Sequence, residues 1–234
     1  MRTIAVDALT KNFGSICAVD NVSFDVTPGR VAGFIGPNGS GKTTTLRMLL
    51  GLVTPTSGEA RIGGRRFADL EDPAREVGAV LEARAFHPGR TARDHLRVIA
   101  TEARISRRRV DEVLELVGLE AAANRRAGTF SLGMGQRLSL AAALLGDPGV
   151  LILDEPTNGL DPAGIRWLRE FLRDLAAEGR TILVSSHALS EIQQTADEVL
   201  ILDAGRLLSH RPMADIGSLE DAFLTLTGRK EPVE

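Results

Sequence analysis

The stretch VAGFIGPNGSGKTTTLRMLLG, residues 31–51, holds a short apolar run, a glycine-rich turn and the start of a helix in direct succession. Val31–Ile35 has the length and composition of a buried strand, and Gly36-Pro37 stops it. Residues 36–43, Gly-Pro-Asn-Gly-Ser-Gly-Lys-Thr, fit G-x-x-x-x-G-K-[ST] at every specified position. The glycines let successive backbone N–H groups converge on an anion, and a helix N-terminus adds partial positive charge. Lys42 brings a full charge toward the β- and γ-phosphates, and the Thr43 hydroxyl is placed for Mg²⁺. Gly36, Pro37, Asn38, Gly39, Ser40, Gly41, Lys42, Thr43 and Thr44 are therefore the candidate nucleotide-binding residues. A strand before the loop and a helix after it supply the context that the string alone lacks.

A phosphate loop needs a second Mg²⁺ anchor. Val150–Asp154 reads as a strand whose C-terminal end presents Asp154, where ligands of open α/β sheets bind. Glu155 follows directly, and a carboxylate beside the γ-phosphate can polarise water. Read alone, Asp154-Glu155-Pro156 is also a helix-capping acidic pair.

Outward from these two points the chain alternates. Residues 3–9 and 17–26 read as strands, the second ending at Thr27-Pro28-Gly29-Arg30. Residues 59–62 and 77–81 are further strands. From 91 to 145 the period becomes helical, and Ser131 caps the last of these helices. Then come strand 150–154, helix 162–177, strand 181–186, helix 188–196 and strand 198–203. Continuous Val/Ile/Leu strands between helices predict a parallel sheet covered on both faces. The expected fold is thus α/β, with N-terminal antiparallel strands and an inserted helical lobe. Its predicted parts are a core over about 1–85 and 147–215, a lobe over about 86–146, and a C-terminal helix and polar tail over about 216–234.

The chain's 234 residues, 43% hydrophobic and 25% charged, describe an ordinary globular domain. A net charge of -3 excludes a generally polybasic chain. A single cysteine, Cys17, allows no internal disulfide and lacks the paired spacing of a zinc site. Asp7 interrupts the N-terminus too early for a signal peptide, and no apolar run reaches the roughly 18 residues of a membrane span. The expectation is a soluble protein of a reducing compartment. Lysine occurs only at positions 11, 42 and 230, which makes Lys42 the more informative. His87, His95 and His210 lack metal spacing and read as solvated, as do Arg107-Arg108-Arg109.

The motifs stand in a recognisable order: GPNGSGKT at 36–43, FSLGMGQR at 130–137, LILDEPTNGLD at 151–161 and SSH at 185–187. In this order they resemble the nucleotide-binding subunit of an ATP-binding cassette (ABC) transporter, over residues 2–228 as one ATPase domain. FSLGMGQR is similar to the family signature LSGGQ, with Leu132 for its first Gly and Met134 for its Gln. The resemblance implies that Ser131 and Gly133 face the γ-phosphate held by a second cassette, so that two Mg²⁺·ATP are enclosed between two subunits. It places Asp161 in the loop coupling the two sites, His187 at the switch that orients water, and Glu155 as the group that polarises it. Phe13, 23 residues before Gly36, matches the aromatic that stacks on adenine. Glu82 stands where the family has a Gln that reaches Mg²⁺, beside Thr43 and Asp154. Together with the SLGM signature, this Glu resembles the branch that exports drugs or confers immunity to lantibiotic and bacteriocin peptides.

The implied function is ATP hydrolysis that powers a separate membrane permease, with the subunit at the cytoplasmic face of the membrane, a second cassette as partner and no nucleic acid. The alternative is a soluble ABC ATPase acting on DNA or ribosomes. Such proteins carry paired cassettes or a long insertion before the signature, whereas 88 residues separate Thr43 from Ser131 here. A small-molecule kinase would leave the signature and His187 unexplained.

Overall fold

A computed structural model of the chain describes residues 3–82 and 85–228. Strands β1 (Ile4–Phe13) and β2 (Ile16–Val26) form an antiparallel hairpin closed by Gly14-Ser15. After β3 (Arg30–Ile35) and helix α1 (Lys42–Leu49), β4 (Ser57–Ile62) returns to pair with β1. Ile4 faces Val26 on one side and Ile62 on the other, and all three are buried. That apolar row holds the three-stranded sheet against the core beside α1, because strand side chains two residues apart share a face.

Short helix α2 (Pro73–Glu76) leads into β5 (Val77–Val80). Helices α3 (Ala92–Glu102), α4 (Arg107–Leu116) and α5 (Leu132–Leu144) then pack on one another. Each begins at a hydroxyl that accepts from a backbone N–H: Thr91 from Asp94 at 3.0 Å, Ser106 from Arg108 at 3.3 Å, and Ser131 from Met134 at 3.3 Å. Such caps satisfy donors that a helix's first turn otherwise leaves unpaired.

The chain continues as β6 (Val150–Asp154), α6 (Pro162–Ala177), β7 (Thr181–Ser186), α7 (Leu189–Thr195), β8 (Glu198–Asp203), β9 (Arg206–Pro212) and α8 (Leu219–Thr227). The large sheet has the order β5-β6-β7-β3-β8-β9, parallel except where β9 turns back on β8. β3 and β6 therefore flank β7. The register pairs Asp154 with Ser185 and Ile35 with Ser186, so the turn after β3 opens beside Asp154.

One strand was missed, and two expectations need correction. β9 was not legible, because an edge strand with a mostly exposed face (RLLSHRP) lacks the apolar run of its buried neighbours. His95 is buried, and His210, although exposed, is not free: its Nε2 lies 3.0 Å from Glu198 Oε2. Arg109 is not a free helix-end charge: it donates to Leu144 O at 3.2 Å and to Asp147 Oδ1 at 3.1 Å, tying α4 to the end of α5. The polar tail beyond Gly228 lies outside the described residues. No helix among the described residues is long and apolar enough to cross a membrane.

Candidate functional site

The turn between β3 and α1 wraps around the Lys42 side chain. Lys42 Nζ donates to Gly36 O at 2.6 Å and Pro37 O at 3.3 Å, and it lies 3.7 Å from Glu155 Oε1. Burial lowers the Lys42 pKa from its ordinary value, while the Glu155 and Asp154 carboxylates pull it back. Gly41, the residue before α1, has φ +102°. A Cβ there would sit 2.6 Å from Ala18 O, so only glycine lets the loop close against β2.

Asp154 is gripped by two hydroxyls. Thr43 Oγ1 donates to its Oδ2 at 2.8 Å, and Ser185 Oγ donates to its Oδ1. The same Ser185 accepts from the Glu155 N–H, through Oγ at 3.0 Å and its carbonyl at 3.2 Å. Those bonds hold Glu155 at φ +49°, a left-handed conformation that costs a non-glycine residue about 1–3 kcal/mol. The strained backbone aims the carboxylate at both Lys42 and His187, whose Nδ1 is 2.7 Å from Glu155 Oε2. Ser185 is a residue that sequence reasoning missed. The only signal was a pair of hydroxyls, Ser185 and Ser186, ending a fully buried strand.

Phe13 stands half exposed at the end of β1, with Lys11 Nζ 5.0 Å from its ring centroid. With Ala18, residues 38–44 and Glu155 it lines a cleft of about 370 Å³. The residues fit a magnesium nucleotide. Thr43 and Asp154 present hard oxygens, the first N–H groups of α1 lack intrahelical partners, and the buried Ser40 Oγ has no hydrogen-bond partner.

The candidates do not all converge. Among the described residues that line this cleft, none is Ser131, Gly133 or Asp161. Ser131 caps α5, and Asp161 caps α6 by accepting from Gly164 N at 2.7 Å. Glu82 follows β5 and is exposed on a second, larger groove of about 750 Å³. That groove also takes in Arg47, Leu52, Phe67, His95 and Ile99. At its wall His95 Nδ1 is buried without a partner, and burial together with the Arg90 charge lowers its pKa, keeping the ring neutral at pH 7.

The family model for ABC transporters matches residues 19–158, from within β2 to the loop after Glu155. The chain belongs to the ABC transporter family. It is 48% identical over 207 residues to a bacitracin transport ATP-binding protein of Bacillus licheniformis, covering 87% of this chain and 68% of that one. It is 37% identical to a lantibiotic transport ATP-binding protein of Streptococcus pyogenes, over 94% of this chain and 95% of that one. A solved ATP-binding subunit of an ABC transporter superposes with a TM-score of 0.86 at 30% identity, covering 96% of this cassette and 99% of that chain. A second, a dimeric cassette in a post-hydrolysis state bound to ADP and Pi, superposes at 0.80 with 27% identity, covering 90% and 98%. The chain is an ATP-hydrolysing cassette with the α/β fold read from its sequence.

Proposed function

We propose that two copies of this cassette, or this one and a related one, close around two Mg²⁺·ATP and drive a separate membrane permease that exports antimicrobial peptides or drugs. The observation that carries the reading is the split just described. Lys42, Thr43 and Glu155 line one cleft, with Asp154 bonded to Thr43 and His187 to Glu155, while Ser131, Gly133 and Asp161 stand apart at helix starts, available to a partner's cleft. Bound Mg²⁺·ATP supplies the phosphoanhydride and the charge that Thr43 and Asp154 would hold. Residues 36–44 would cradle its phosphates, and Phe13 would stack on the base. Glu155 takes up a proton from water, and His187 steadies the carboxylate that does so. The relatives named for bacitracin and lantibiotic transport support the choice of cargo class. The groove beside Glu82 and His95 suits an apolar segment of the permease, which would keep the cassette at the cytoplasmic face of the membrane.

Cells that express the cassette with its permease should tolerate more bacitracin or lantibiotic, and Lys42→Ala should cancel that tolerance. Unchanged sensitivity to both classes would remove the proposed cargo. Ser131→Arg should leave nucleotide affinity of the monomer within about threefold, because Ser131 lies outside its own cleft, and should block ATP-dependent dimerisation. Equal loss of monomer affinity would place Ser131 in its own site.

Glu82 would report coupling more than chemistry. By resemblance Glu82 stands where a Gln reaches Mg²⁺, and a carboxylate there would offer the same hard oxygen while adding negative charge near phosphate. Glu82→Gln should change basal ATPase by less than about tenfold, roughly 1.4 kcal/mol in the barrier. Stimulation by the reconstituted permease should change more, since Glu82 borders the groove. ATPase rates with and without the permease decide between these roles.

A further inference from the structure

The first turn of α5 and the loop before α6 interlock within one subunit. Leu132 occupies the position where the family signature carries its first glycine, and its side chain lies over Gly159. A Cβ on Gly159 would overlap Leu132 Cδ2 and stand 3.2 Å from Leu132 Cγ. The reverse contact comes from Leu160, whose Cδ2 lies 3.5 Å from where Gly133 would carry a Cβ. Farther along α5 the two helices meet again. The Arg137 guanidinium carbon sits 3.7 Å from the Trp167 ring centroid, Arg137 Nη1 donates to Val117 O at 2.7 Å, and Trp167 stacks on Phe171 at 5.1 Å. The Arg137 stack thus fixes α5 against α6, and the Leu132 knob fixes the loop 158–161 against α5.

We propose that Leu132 is a positioning residue, the knob through which the signature helix sets the place of loop 158–161. Ser131 at the start of α5 and Asp161 at the start of α6 then move as one arm toward the partner cassette. Glycine at 159 suits the φ of +73°, and a methyl there would push the end of the Leu132 side chain, which is 37% exposed, off the loop. The chemistry follows from the usual family pattern in reverse. A signature glycine leaves this contact unmade, whereas Leu132 makes it by lying over a residue without a Cβ.

This inference rests on the enclosed dimer proposed above, and a double-mutant cycle tests it. Gly159→Ala should lower ATPase kcat at least about tenfold while KM for ATP changes less than about threefold, because the subunit's own phosphate loop is untouched. Adding Leu132→Ala removes the overlap and should return kcat to within about threefold of Leu132→Ala alone, the non-additivity expected of residues in contact. Trp167 is the single tryptophan and the chain has no tyrosine, so its emission verifies that the α5–α6 stack survives in each variant. If Gly159→Ala yields no folded protein, the double variant alone decides: it should fold, with wild-type Trp167 emission, and turn over like Leu132→Ala. A double variant as impaired as Gly159→Ala overturns the proposal, since backbone strain at φ +73° would then explain the whole effect. So does a rise in KM that matches the fall in kcat. Failure of Glu155→Gln to form an ATP-dependent dimer would instead remove the enclosed dimer and leave the measured coupling standing.

Discussion

Glu155→Gln should slow ATP turnover at least about 10²-fold, the usual scale for loss of a general base, while ATP still binds. The substitution preserves shape, so the backbone bonds from Glu155 N to Ser185 and the φ of +49° should persist. What disappears is the negative charge that faces Lys42 at 3.7 Å and His187 at 2.7 Å. A neutral amide cannot take a proton from water, and it repels a bound γ-phosphate less than a carboxylate does. Binding should therefore be as tight as in the unaltered chain or tighter, and the closed dimer should accumulate because hydrolysis no longer opens it. Steady-state phosphate release measures the first effect. Light scattering with and without Mg²⁺·ATP measures the second as a doubling of mass. Normal turnover would transfer the base role to another group, with His187 the first candidate.

Lys42→Ala should weaken ATP binding by about 10- to 150-fold, the range spanned by roughly 1.5–3 kcal/mol for one charge-assisted hydrogen bond. The ammonium is buried and already aimed into the loop by the carbonyls of Gly36 and Pro37, so its charge is delivered with little loss of side-chain freedom. Its removal also leaves Glu155 without its buried counter-charge. A carboxylate so stripped repels incoming phosphate, which pushes the effect toward the upper end of the range. The thermal midpoint of the nucleotide-free variant separates the two contributions. A midpoint close to that of the unaltered chain, with weak binding, means that the loss lies in the phosphate contact. Affinity equal to that of the unaltered chain would refute the assignment of the loop.

What the sequence by itself determined is what neighbouring residues encode. The run from Val31 to Thr44 states its own strand, turn and helix, because the glycines, the lysine and the first helical N–H groups act within a few residues of one another. Asp154 at the end of Val150–Leu153 is likewise local, as are the caps Ser131 and Asp161. Only the tertiary structure decided which of these local pieces meet. Ser185 grips Asp154 and Glu155 across about thirty residues because parallel β6 and β7 place Asp154 opposite Ser185. Both strands carry an unbroken apolar run, so neither shows the alternation from which a register could be read. His95 reads as a solvated histidine, yet it is buried at the edge of a groove that exists only once α3 and α5 pack beside β5. Leu132 reads as a departure from a signature until it is seen lying on Gly159. Local hydrogen bonding and helix propensity are written in adjacent residues, whereas strand register and helix crossing are settled by packing of distant surfaces, and packing has no address in the chain.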